Sequence, residues 1–106
     1  MPGAYLVVRT VVADAADRTP FDQWYRNEHL PDALKALHAL SAMRAWSTQD
    51  PSVHFAFYRF ASTEAARAAT DGSAIKALIV EFDRWWGART SRSRDILPIT
   101  DELEGR

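Results

Sequence analysis

The order in which strand-like and helix-like hydrophobic patterns follow one another leaves this chain few folds. Ala4 to Ala13 (AYLVVRTVVA) is rich in β-branched residues between Pro2-Gly3 and Asp14 to Arg18, and reads as a strand. Thr19-Pro20 offers a helix start, because a threonine hydroxyl accepts a free backbone N–H and proline lacks only an N–H that the first helical position does not need. The helix is expected to run to Leu40 with a break near Leu30, since Pro31 removes a backbone hydrogen bond and crowds the preceding turn. Ser41 to Thr48 and Val53 to Phe60 flank Gln49-Asp50-Pro51-Ser52, the pattern of an antiparallel hairpin. Ser62 or Thr63 caps a second helical region, which Asp71-Gly72-Ser73 interrupts, with Ser73 placed to cap a further helix. Ile75, Leu78, Ile79, Phe82, Trp85 and Trp86 then form one apolar stripe at helical spacing, and Gly87 is a candidate left-handed stop. Arg92 to Thr100 makes a last strand, which Pro98 confines to an edge or an end.

Strand, helix, strand, strand, helix, strand is the succession of the split βαβ or ferredoxin-like fold, an α+β arrangement in which helices cover one face of a four-stranded antiparallel sheet. The first strand does not fit a sheet with one wet face. Tyr5, Val7 and Val11 lie on one side with Arg9, while Leu6, Val8 and Val12 lie on the other with Thr10. With 106 residues, 47% of them apolar, residues 1–106 suffice for a single domain near the size at which a partner subunit helps. A homodimer formed by sheet-to-sheet packing would bury the second face.

Composition removes several function classes. There is no cysteine, which excludes a disulfide scaffold, a thiolate nucleophile and an iron–sulfur site. A formal net charge of −1 argues against nucleic acid as a partner, because phosphate binding needs a concentrated basic surface. No apolar run approaches the roughly 20 residues that cross a bilayer, and the first residues lack a signal peptide's pattern, so a cytoplasmic protein without membrane contact is expected. The histidines at 29, 38 and 54 lack metal-ligand spacing, and no glycine-rich phosphate loop occurs, so neither a metal nor an organic cofactor is expected.

Phe21-Asp-Gln-Trp24-Tyr25-Arg-Asn-Glu28-His29-Leu-Pro31-Asp32, an aromatic pair followed by His-x-Pro, resembles the first helix of EthD-like members of the dimeric α+β barrel superfamily. Arg44-Ala-Trp46, Phe60-Ala-Ser62-Thr-Glu64-Ala and Glu81-Phe-Asp-Arg84-Trp85-Trp86-Gly are similar in kind. The resemblance implies a dimeric ferredoxin-like barrel with a pocket between sheet and helices in each subunit. Its families include cofactor-independent oxygenases, lactone isomerases, aromatic cyclases and haem-degrading enzymes. Haem degradation would need a histidine on the second helical region, and residues 63 to 86 contain none.

His29 is the leading candidate for chemistry, as a general acid and base one turn after Tyr25, with the holding together of a kinked helix as the plain alternative. Tyr25 and Arg44 are the candidates to stabilise a developing oxyanion. Phe21, Trp24, Trp46 and Tyr58 are candidate substrate-binding residues for a small apolar or aromatic ligand, although helix aromatics equally form ordinary core. His38 and His54 read as surface or hairpin residues, and Arg89, Arg92 and Arg94 as a solvated basic patch. The expected function is binding of a small oxygenated or aromatic compound, with an isomerase, cyclase or dehydratase step. The alternatives are a non-catalytic ligand-binding or sensing dimer, or a cofactor-free monooxygenase. The oxygenase version would use Asn27, the only asparagine, and loses that residue if it faces solvent.

Overall fold

The computed structural model describes residues 2–105. Four strands, β1 (Ala4–Val11), β2 (Ser41–Trp46), β3 (Val53–Phe60) and β4 (Ser91–Pro98), pair antiparallel in the order β2-β3-β1-β4. Between them run α1 (Ala15–Trp24), α2 (Leu30–Ala36), α3 (Thr63–Asp71) and α4 (Ser73–Phe82). This is the ferredoxin-like α+β fold. Its core lies between helices and sheet, where Leu6, Val12, Phe21, Phe60, Phe82 and Trp86 are buried.

Local departures from expectation have identifiable causes. Helix α1 begins before Thr19, because the Asp14 carboxylate accepts the Ala16 N–H at 3.0 Å and Asp17 supplies charge to the first turn. Pro20 is therefore inside the helix, on its exposed side, where solvent can satisfy the carbonyl it leaves unpaired. Pro31 does not break the helix, since His29 and Leu30 before it keep helical dihedrals. The preceding residues Tyr25–His29 form a π-helical turn in which Leu30 N–H donates to Tyr25 O, and Pro31 falls in the first turn of α2, where its missing N–H matters little. Gly72 in extended conformation precedes α4, and Ser73 does not cap it.

A second π-helical turn, Asp83–Gly87, follows α4. Its wider winding keeps Trp86 in the core against Phe21, with ring centres 5.3 Å apart, and leaves Trp85 outside at 53% exposure, so Trp85 leaves the expected stripe and donates to Glu81 at 2.9 Å. Gly87 is not left-handed; a Cβ there would lie 3.0 Å from the Asp83 Cβ, so close approach is what favours glycine. The left-handed residue is instead His38, at φ 53°, just after α2.

Register sorts the side chains. Thr10 pairs with His54 and Arg92, Val8 with Ala56 and Arg94, and Trp46 with His54, which places all of them on the helix side of the sheet. The other side carries Tyr5, Val7, Met43, Phe55, Phe57 and Leu97, with Phe55 and Phe57 stacked at 6.1 Å. No helix among the described residues covers that side, and Met43 remains 54% exposed. Arg59 holds the C-terminal segment against its edge through a two-pronged bond to Glu102 at 2.7 and 2.9 Å.

Candidate functional site

A half-open cavity of about 250 Å³ lies between the helices and the β3-β1-β4 part of the sheet. Leu6, Val8, Leu37, Leu78, Ile79 and Phe82 supply apolar wall, and the polar groups on it are Tyr25, His29, Tyr58, Arg92, Ser93 and Arg94. The π-helical turn sets the first of these in place. Tyr25 and His29 bracket that turn and project to one side, with ring centres 4.9 Å apart.

The His29 ring stacks on Trp24 at 4.8 Å and meets the Phe82 ring edgewise at 5.6 Å. Burial pushes its pKa down to about 4, the Arg92 charge adds to that shift, and Glu81 opposes it. The imidazole is thus neutral at physiological pH. No group among the described residues hydrogen-bonds its nitrogens. Deeper in the core the buried Tyr25 and Tyr58 hydroxyls lie 3.3 Å apart. Burial raises the Tyr25 pKa to about 12 and that of Tyr58 well above its usual value, so both stay protonated. Since one proton suffices for the bond between them, the second is available to a ligand.

A second polar cluster sits beside this one, at the wall of a shallower, more open pocket that Asp22, Arg26 and Trp46 line with Arg18 and Pro51. Asp22 Oδ1 accepts from Arg44 at 2.7 Å and from Trp46 Nε1 at 2.8 Å, while Arg26 pairs with Oδ2 at 3.4 Å. The Arg44 hydrogen bond is the largest influence holding the Asp22 carboxyl below its usual pKa, with Trp46 and Arg26 adding and burial opposing. Arg44 also lies 3.4 Å from His54 Nε2. His54 is fully buried among Phe21, Tyr25 and Trp46, and burial, then the Arg44 charge, lower its pKa to about 4.

Of the residues singled out from sequence, Tyr25, His29 and Tyr58 come together on the cavity wall. Trp24 stands behind His29 as its stacking platform, and Phe21 is core, with no exposure. Arg44 and Trp46 do not line this cavity: Arg44 Nη1 and Trp46 Nε1 donate to Asp22, and Trp46 and Asp22 line the more open pocket on the other side of α1 with Arg18, Arg26 and Pro51. His54 is corrected from surface to core, because its register opposite Thr10 and Trp46 turns it inward. Asn27 is exposed on the far side of the π-helical turn and plays no part in the pocket. Arg92 and Arg94, expected in solvated surface, line the cavity. The missed signal was the alternation Arg92, Arg94, Ile96, which gives β4 one face shared with the core side of β1.

Fold and cavity together define an α+β protein with a small-molecule-sized site between sheet and helices. Neither a family model nor a curated protein sequence matches the chain. Solved structures do. A mutant form of SnoaB, a cofactor-independent oxygenase from Streptomyces nogalater, superimposes with a TM-score of 0.72 at 10% identity, over 99% of this chain and 100% of that one. An ethyl tert-butyl ether D (EthD) family protein from Bacillus halodurans gives 0.67 at 15% identity, over 95% and 99%. A dimeric ferredoxin-like protein from an uncultured marine organism gives 0.73 at 8% identity, over 100% and 95%. At these identities the likeness is one of fold. No helix among the described residues is long and apolar enough to cross a membrane.

Proposed function

We propose that this chain is a homodimeric small-molecule-binding protein that acts on a small oxygenated or aromatic compound without metal or organic cofactor. The reaction is of the isomerase, cyclase or dehydratase type, and His29 is its general acid and base. The observation that carries this reading is an imidazole held neutral at the wall of an apolar cavity with its nitrogens left free by the protein.

A neutral His29 can accept a proton from a carbon next to a carbonyl, and the electrons of the broken C–H bond pass to the carbonyl oxygen as an enolate. In the empty site the ring is a weak base, because burial disfavours its cation. The negative oxygen formed in the same step compensates the new positive charge and restores that basicity. The Tyr25–Tyr58 pair supplies the donor for the enolate oxygen. Return of the proton at another carbon completes an isomerisation, and loss of a β-hydroxyl protonated by the imidazolium completes a dehydration.

A thermal-shift screen of lactones, phenols and polyketide-like acids against wild type and His29→Ala tests the site. Hits are then examined by NMR in D2O. Ligands turned over or deuterated next to their carbonyl by wild type should lose that reaction at least about a hundredfold in His29→Ala. Undiminished reaction in the variant would sink the catalytic role. Binding with no exchange in either protein would make the chain a ligand-binding dimer. Cofactor-free oxygenation is the second reading, supported by the description of SnoaB, and measurable oxygen consumption with a bound phenol would favour it over proton transfer.

The dimer is assigned to the uncovered sheet face. Exposed Met43 and Leu97 flank the stacked Phe55 and Phe57 there, an apolar surface that a second copy would bury, and one of the fold neighbours is described as dimeric. Phe57→Lys should convert a dimer of about 24 kDa in light scattering to a monomer of 12.0 kDa, and an unchanged mass would reject this face.

A further inference from the structure

The cavity lining is unequal in charge. Two arginines, Arg92 and Arg94, face it from β4, and no aspartate or glutamate lines it. The Arg92 guanidinium lies 4.0 Å from the centre of the Phe82 ring, and its side chain is 23% exposed. It makes one long hydrogen bond, 3.3 Å to the exposed Asp83, which leaves most of its five N–H donors without a protein partner. Two other strand arginines differ. Arg44 is committed to Asp22 at 2.7 Å and Arg59 to both oxygens of Glu102. Arg94 forms no ion pair among the described residues, and its register opposite Val8 sets it on the same face, one strand position along from Arg92.

From these unspent donors we infer that the pocket takes an apolar ring body bearing one anionic oxygen group, carboxylate or phenolate, with Arg92 as its principal anchor and Arg94 in support. The inference rests on the proposed ligand site and adds the class of ligand. Size agrees: an apolar cavity of about 150 Å³ holds a benzene ring, so 250 Å³ admits a fused bicycle or a ring with a short chain. Geometry agrees as well. Phe82 lies beneath the Arg92 guanidinium and against the His29 ring, so an anion on Arg92 puts the ligand body over Phe82 and within reach of His29. The planar fork of arginine suits a two-oxygen anion, which a neutral pocket of the same shape would leave poorly solvated.

The alternative role for Arg92 is to cover Phe82 with its stem, and a matched pair of probes separates the two. Calorimetric titration at pH 7.5 compares 2-naphthoate with uncharged 2-naphthamide in wild type, Arg92→Met and Arg94→Gln. Wild type should favour the carboxylate by about tenfold or more, as expected for a charge-assisted hydrogen-bonded pair. Arg92→Met keeps an apolar stem over Phe82, so it should lose that preference while binding naphthamide within about twofold of wild type, and Arg94→Gln should lose a smaller part. Asp83→Asn, which frees Arg92 without touching the lining, should tighten naphthoate and not naphthamide, and guards against misfolding of the methionine variant. Equal affinities in wild type, or a carboxylate preference that survives Arg92→Met, would overturn the anchor and leave the pocket reading standing. Leu78→Trp, which fills the cavity, separates the two failures: binding of both probes undiminished by it, or no binding of either probe to wild type, would remove the pocket reading and the inference together.

Discussion

His29 and His54 sit at the two ends of one aromatic layer, and burial lowers the pKa of each to about 4. Their surroundings are otherwise opposite. His54 has no exposure and adjoins a cluster in which Asp22 accepts from both Arg44 and Trp46 at 2.7 and 2.8 Å. His29 borders a cavity, and neither its nitrogens nor most of the nearby Arg92 donors are spent on the protein. The comparison separates a polar group sealed inside the fold from one at the wall of a cavity. What distinguishes them is access: His54 is sealed in the core with its Nδ1 buried and unpaired, at a cost to the fold, whereas His29 borders the cavity, where a ligand could meet its ring.

The largest effect that tests the comparison is acid unfolding. Each histidine has its ordinary pKa of about 6.5 in the unfolded chain and about 4 in the fold, so the unfolded state binds more protons in between. Their contribution is complete above pH 6.5 and is lost as pH falls towards 4, up to about 3 kcal/mol for each. Urea unfolding at pH 7, 5.5 and 4.5 should show that decline. His29→Gln should remove about half of it, and a slope unchanged by that variant would mean that His29 titrates freely.

Asp22→Ala comes next in size. It strips the acceptor from Arg44, whose side chain is 12% exposed, and from the Trp46 indole, and should cost about 2–3 kcal/mol in urea unfolding. Naphthoate affinity should stay within about threefold, because Asp22, Arg44 and Trp46 do not line the His29 cavity. A larger loss would show that the two ends act as one site.

His29→Ala should have the smallest effect on stability, about 1 kcal/mol or less, because its ring makes no hydrogen bond and the void joins an existing cavity. Its effect should appear in the reaction of bound ligand. A stability loss as large as that of Asp22→Ala would place His29 with the structural group.

The fold was legible because its signals are local and repeated. Val53 to Phe60 forms β3 with the expected bounds, and Ser62 caps α3 through the Ala65 N–H at 3.0 Å. The apolar second face of β1 pointed to an uncovered sheet side, which the structure shows. The site was legible only in part. The spacing of Tyr25 and His29 in one turn survives the π-helical winding, which places both on the cavity. The surroundings of Arg44 and Arg92 were not legible, since each is an arginine in a strand and nothing in its immediate neighbours tells which carboxylate it will meet.

By itself, then, the sequence determined the order of elements, the two apolar faces of β1 and the presence of a His-x-Pro turn beside aromatic residues. Periodicity and capping act over a few residues, so they can be read without knowing what lies across the core. Tertiary structure alone decided that Asp22 takes Arg44 and Trp46, that His54 is sealed while His29 is open, and that Arg92 is left facing a cavity with donors to spare. Those outcomes depend on pairing across strands and helices 22 or more residues apart, as from Asp22 to Arg44, and only folding brings such groups within hydrogen-bond reach.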